Sequence, residues 1–131
     1  MPGRDQAVHS GRDLELLVME IGERLGLDAR RQVKVGRRIW GAERYIDVVL
    51  RNPETYQSLG IECKFQGGHG TAEEKIPTTV QDINAWPIPG IVVIAGEGFS
   101  THIRSYLYST GKAVDLEDLE IWLKLFFGLE L

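Results

Sequence analysis

Apolar residues recur at Leu14, Leu17, Val18, Ile21 and Leu25, a three-and-four spacing that gathers them on one side of a helix. Ser10 can cap that helix and Gly26 can stop it, which predicts a helix over residues 10–25. Residues 32–40, 44–51 and 59–66 read as strands, and the turn-rich Asn52, Pro53, Glu54 and Thr55 join the last two. Residues 91–95 are continuous, short and β-branched, as in a central strand buried on both faces, and Gly96 and Gly98 follow. Before that strand a helix starts either at Thr71, which has capping-box spacing to Glu74, or at Pro77. Ser100 can cap a short helix ending near Gly111, and Asp115 a last helix reaching about Phe127. The expected order is helix, three strands, helix, strand, helix, helix, an α/β layout.

The last helix is apolar nearly all round. Leu116, Leu119, Trp122, Leu123 and Phe126 share one side, with Ile121, Leu125 and Leu129 on others. One stripe suffices for docking on a domain, so the surplus fits a subunit interface or, equally, deep burial. Trp40, Trp86 and the C-terminal aromatics are assigned to core packing ahead of base stacking.

At 131 residues the chain has the size of one domain, so residues 1–131 are read as a single unit. Hydrophobic residues at 43% and charged residues at 26% exclude a disordered or collagen-like chain. No apolar run approaches bilayer length, and residues 1–5 lack the apolar stretch of a signal peptide. Cys63 is the only cysteine, which excludes an internal disulfide and makes a reducing, cytoplasmic setting the expectation.

The net charge of −4 is unevenly spread. Residues 28–44 hold six cations (Arg30, Arg31, Lys34, Arg37, Arg38 and Arg44) against two acids, whereas residues 115–131 hold five acids and one lysine. The basic stretch fits either a surface for phosphates or an arginine-rich strand edge facing solvent.

The chemistry concentrates in two strands. Alternation puts Ile46, Val48 and Leu50 on a core face and turns Asp47 away. In the next strand Ile61, Cys63 and Phe65 form the apolar face, leaving Glu62, Lys64 and Gln66 opposite. If the two strands pair as a hairpin, Asp47 shares a face with Glu62 and Lys64. Two neighbouring carboxylates repel unless a proton or a cation lies between them. Mg²⁺ suits the place, because it takes oxygen ligands, keeps several waters and needs one or two carboxylates. Lys64 could orient a water or offset charge on a phosphate, and Gln66 could hold either by hydrogen bonds. An ordinary Glu62–Lys64 surface pair is the plainer alternative.

This arrangement resembles the PD-(D/E)xK nuclease superfamily, whose core is a helix, a three-stranded meander, a helix and a further strand. Asp47 falls on the motif aspartate, Glu62-Cys63-Lys64 on the E-x-K, and Gln66 on an E-x-K-x-Q extension. Glu15 resembles the glutamate that many members carry on the first helix, with Glu20 as the alternative, and residues 70–77 resemble a segment following the motif strand in some members. Ile46 stands where the family name has proline.

The resemblance implies a restriction-endonuclease-like αβββαβ core, a mixed sheet flanked by helices, with C-terminal helices added. It implies a metal-dependent endonuclease acting on DNA, with Mg²⁺ or substituting Mn²⁺ held by Asp47, Glu62, the Cys63 carbonyl and Glu15. Lys64 and Gln66 would assist catalysis. Arg30, Arg31, Lys34, Arg37, Arg38 and Lys75 are the candidates for the DNA backbone. His69, in the glycine-rich stretch after the motif, could touch substrate or be merely exposed. Cutting both strands needs two sites, so a homodimer or larger symmetric assembly is expected, with the C-terminal helix as its candidate contact. Restriction, homing, resolvase and phage-type roles stay open. The rival reading is a non-catalytic DNA-binding or assembly module on the same fold.

Overall fold

Ser10 Oγ accepts the backbone N–H of Asp13 at 3.1 Å, and from this cap helix α1 runs over Gly11–Arg24. These details come from a computed structural model that describes residues 8–37, 41–68 and 76–131. The stripe Leu14, Val18 and Ile21 is buried, and the chain turns at Gly26 into strand β1, Asp28–Arg37. There follow β2 (Glu43–Arg51), β3 (Ser58–Phe65), α2 (Ile76–Asn84), β4 (Gly90–Ala95), α3 (Thr101–Thr110), β5 (Ala113–Asp115), a 3₁₀ turn (Leu116–Asp118) and α4 (Leu119–Phe127).

The sheet order is β1-β2-β3-β4-β5. β1, β2 and β3 form an antiparallel meander, while β4 and β5 continue it in parallel, so the sheet is mixed. Its two faces are covered separately. Leu14, Val18 and Ile21 of α1 and Leu119, Leu123 and Phe127 of α4 pack on Val48, Leu50, Ile61 and Val93. Ile76, Val80 and Ile83 of α2 and Leu107 of α3 pack on Ile46, Val92 and Ile94. β4 is buried along its whole length, as its sequence predicts for a central strand. The result is the expected restriction-endonuclease-like α/β fold.

Several local expectations are corrected. β1 begins four residues earlier than its apolar content suggests, because Asp28–Arg31 pair with Val48–Arg51 although only Ala29 and Arg31 there are even half-buried. β5 was not anticipated, since three residues carry no periodicity. Asp115 does not cap the last helix. It ends β5, and its carboxylate accepts from Arg104 Nη1 at 3.0 Å and Tyr108 Oη at 2.6 Å. α4 buries one stripe only, leaving Ile121 and Leu125 exposed at 47% and 65%, so deep burial of the whole helix is excluded. Ile46 does not share a face with Val48 and Leu50, for a reason that belongs to the site. Arg38, Trp40, His69 and Lys75, and the capping-box candidates Thr71 and Glu74, lie outside the described residues.

The α2 side is locked by Trp86, buried as expected over two glycines. A Cβ on Gly60 of β3 or Gly90 of β4 would stand 2.8 Å or 2.4 Å from the indole ring. Glycine is therefore what lets the ring lie flat on the β3–β4 seam. Gly90→Ala is expected to cost about 1–3 kcal/mol through overpacking, read as a lower denaturation midpoint with an unchanged urea slope.

Candidate active site

The backbone ladder between β2 and β3 joins Arg51, Leu50, Val49 and Val48 to Ser58, Leu59, Gly60 and Ile61, and goes no further. Beyond it the strands part. Cys63 N–H, two residues on, donates instead to Asp47 Oδ2 at 2.9 Å, so this carboxylate takes the place of a backbone carbonyl in the opening fork. Ile46 and Val48, on either side, belong to the cores of opposite faces. Strict alternation would keep them together, so β2 changes face between them, and the Asp47 side chain reaches across to the β3 amide.

β1 turns with it. Arg31 pairs with Val48 and Val33 with Ile46, leaving Gln32 opposite Asp47 with φ 52°, in the left-handed region. Gln32 Nε2 donates to Asp47 Oδ1 at 3.2 Å and to Glu15 Oε1 at 3.1 Å. Glu15 Oε1 also receives Arg31 Nε at 3.2 Å, with Arg31 Nη2 at the same distance. Glu15, one residue beyond the buried Leu14 on α1, is thus tied to the motif aspartate through an amide.

β3 alternates as its sequence indicates. Ile61 and Cys63 enter the α1 side, while Glu62 and Lys64 sit opposite Val92 and Ile94, whose side chains face α2. The Glu62 carboxyl meets Asp47 in a hydrogen bond. Burial, that bond and the Asp47 charge lift its pKa to about 9, with Asp82 adding to the rise and Lys64 opposing it. Glu62 is therefore held in its protonated form near neutral pH. The Cys63 thiol is pushed well up by burial and by the Asp47, Glu15 and Glu62 carboxylates, so it remains a neutral thiol. Gln66, just past β3, is buried; its side-chain amide donates to the Gly68 carbonyl, and its own carbonyl accepts from Gly98 N–H at 2.7 Å.

The basic candidates spread along β1. Arg31 is engaged with Glu15, Lys34 pairs with Glu43 at 2.9 Å, Arg37 reaches the Gly41 carbonyl at 3.0 Å, and Arg30 is exposed. Sequence reasoning missed two participants. Asp82, buried on α2 beside the apolar Ile83, pairs with Arg44 at 3.7 Å and adds its charge at Glu62. An acid flanking a helix's apolar stripe was the available signal. Gln32 gave none, being one polar residue in an arginine-rich strand.

Two acids, one supported by an N–H and an amide, and a lysine converge at the end of a strand pair. The sequence matches the PD-(D/E)XK nuclease superfamily domain over residues 6–123. The chain belongs to this superfamily. Among solved structures it is similar to protein VC1899 from Vibrio cholerae, at 19% identity and a TM-score of 0.59, over 90% of this chain and 34% of that one. It is also similar to AF1548, a protein of unknown function, at 20% identity and a TM-score of 0.54, over 77% of this chain and 55% of that one. These two show a shared fold, and the PD-(D/E)XK chain spans about a third of the first and about half of the second. A repair endonuclease from Pyrococcus abyssi matches at 10% identity and a TM-score of 0.46, over 81% of this chain and 46% of that one. No curated protein matches the sequence.

PD-(D/E)XK nucleases generally use a divalent metal. The donor set here fits one: the Asp47 neighbour raises the pKa of Glu62, and a cation between the two carboxyls would replace that repulsion with attraction to both. Among the described residues no three Asp, Glu, His or Cys side chains converge on one point, so carbonyl oxygen and water would complete the shell, as Mg²⁺ favours.

The raised Glu62 pKa has a consequence for the protein kept in EDTA. Below pH about 4.5 the carboxyl is protonated whether folded or unfolded. Between there and pH about 9 only the folded chain keeps the proton, so stability falls as pH rises through that window. Glu62→Gln is expected to flatten that fall and raise Tm by several degrees at pH 8, measured by thermal melts across the range. An unaltered pH profile would mean that Glu62 is ionised in the folded protein.

Proposed function

We propose that residues 1–131 form one nuclease domain that hydrolyses DNA phosphodiester bonds with a divalent cation, Mg²⁺ or in its place Mn²⁺. The observation that carries this reading is the Asp47–Glu62 carboxyl pair in the fork, with Lys64 two residues along the same strand face. Asp47 and Glu62 would hold the cation, with the Cys63 carbonyl as a further ligand and Glu15 linked through Gln32. The cation, when bound, supplies a Lewis acid at the scissile phosphate and lowers the pKa of the attacking water.

The chain's own groups do the rest. Cys63 N–H and the Gln32 amide fix the two oxygens of Asp47, so its carboxylate needs no reorientation when substrate arrives. The Lys64 ammonium orients the water and offsets charge growing on the phosphate oxygens. Gln66 anchors the turn after β3 and so sets the edge of the site. Arg30, Lys34 and Arg37 on β1, with Arg38 and Lys75 from outside the described residues, follow the DNA backbone, which makes binding salt-sensitive. Arg31 acts more closely, holding Glu15. A second copy of the chain supplies the site for the other strand of a duplex, and the exposed Ile121 and Leu125 of α4 offer an apolar contact for it.

The test incubates purified protein with supercoiled plasmid, short duplex and four-way junction, in Mg²⁺ or in EDTA. Cleavage that requires Mg²⁺ is expected, lowered about a hundredfold or more by Lys64→Ala and by Asp47→Asn. Asn is the apt replacement at Asp47 because it keeps an acceptor for Cys63 N–H, whereas alanine would orphan that donor. Unchanged cleavage by either folded variant defeats the proposal. Binding of DNA by the wild type without cleavage in Mg²⁺ favours the non-catalytic reading.

A further inference from the structure

Gln32 is the residue of this site that neither its chemistry nor the E-x-K pattern points to, yet it is the one that joins the two acids on the α1 side of the fork. Its Nε2 spans Glu15 Oε1 at 3.1 Å and Asp47 Oδ1 at 3.2 Å. Its backbone holds φ 52°, a conformation that a glutamine without glycine's freedom adopts only when its surroundings enforce it. The enforcement is visible on both sides, in the pairs Arg31–Val48 and Val33–Ile46 that hold Gln32 opposite Asp47. The left-handed turn is therefore what changes the strand's face and delivers the amide to the carboxylates.

An amide NH₂ between two carboxylates does what neither a hydrophobe nor another acid can. It donates one hydrogen to each, lowers their mutual repulsion and fixes their spacing without bringing a charge of its own. Arg31 completes the arrangement on the far side by binding the same Glu15 oxygen. Asp47 is thus restrained at Oδ1 by Gln32 and at Oδ2 by Cys63 N–H.

We propose that Gln32 is a positioning residue of the active site, its carboxamide holding Asp47 and Glu15 at the spacing in which the divalent cation is received. This rests on the nuclease reading above. The carboxylate that must bind a cation is already oriented, so the residue acts on metal affinity through Asp47 rather than on the reacting phosphate.

The experiment measures Mn²⁺ binding to the purified protein by calorimetry, alongside the Mg²⁺ dependence of cleavage. Gln32→Gly accepts the left-handed backbone while removing the amide, so a folded variant is expected. Its Kd for Mn²⁺ should rise about tenfold or more, with a parallel rise in the Mg²⁺ needed for half-maximal cleavage, and its cleavage rate should recover as Mg²⁺ is raised. Gln32→Asn, which keeps an amide and tolerates the same backbone, should recover part of the lost affinity. Gln32→Glu puts a third acid against Glu15 and Asp47; it should melt lower than wild type in EDTA and gain more from Mn²⁺. Wild-type Mn²⁺ affinity in the glycine variant, or equal Mn²⁺-induced Tm shifts in wild type and Gln32→Glu, overturns the assignment and leaves the nuclease reading standing. A wild type that neither binds Mn²⁺ nor cuts DNA overturns both.

Discussion

The hydrogen bond from Cys63 N–H to Asp47 Oδ2 is the constraint on which the architecture of this site turns. An antiparallel pair of strands can open into a fork only if the amides that lose their ladder partners find others. A half-buried N–H left without an acceptor costs about 1–3 kcal/mol. Past the Val48–Ile61 pair, β2 no longer supplies a carbonyl, and an aspartate side chain supplies the oxygen instead. The acid of the motif is thus also the piece that lets the strands separate. Separation in turn makes room for a second carboxyl, which a continuous ladder at this point would exclude.

The fork explains how residues from both layers of an α/β/α molecule come to one place. Glu15 descends from α1 on one side of the sheet, while Glu62, Lys64 and Asp82 belong to the side covered by α2. A sheet of unbroken hydrogen bonds would insulate the two sets. Where β2 turns over, between Ile46 and Val48, the wall has a gap, and Asp47 stands in it touching both sets through Gln32 and Glu62. The remaining wall is rigid, because β3 lies against the fully buried β4 along six paired residues. Precise placement of acids needs such a backing, since a carboxylate on a mobile strand would lose its spacing.

Much of this was legible in the sequence. The stripe of α1, its Ser10 cap, the alternation of β3 and the unbroken apolar run of β4 each follow from a period and a punctuating residue. The meeting of Asp47 with Glu62 was anticipated as well, by a route of which one step fails. It assumed that Ile46 shares the core face of Val48 and Leu50, and period-two reasoning cannot signal a strand that turns over in its middle. The Val48–Ile61 pair still sets Asp47 opposite Glu62, and the failed alternation shows at Ile46 alone. Gln32 was invisible for the same cause, as left-handed backbone at a glutamine has no compositional mark. Asp115 misled in another way: an acid before an apolar run looks like a cap, and only the fold brings Arg104 and Tyr108 to claim it.

The acids of the site show how a protein's own groups hold negative charge concentrated in one place. Each carboxyl meets a different answer. Glu15 is balanced by the Arg31 guanidinium, Asp47 is held by two N–H donors, and Glu62, raised chiefly by burial, retains a proton. The first two arrangements are hydrogen bonds that an arriving cation can leave in place. The third is not, because Glu62 cannot serve as an anionic ligand until its proton departs. Lys64 and Asp82 pull in opposite directions on that proton, from the same strand face and from the helix above it. Order at the site and readiness to charge it are therefore assigned to separate residues: the fork-side donors fix position, and the balance around Glu62 sets the pH at which its proton leaves.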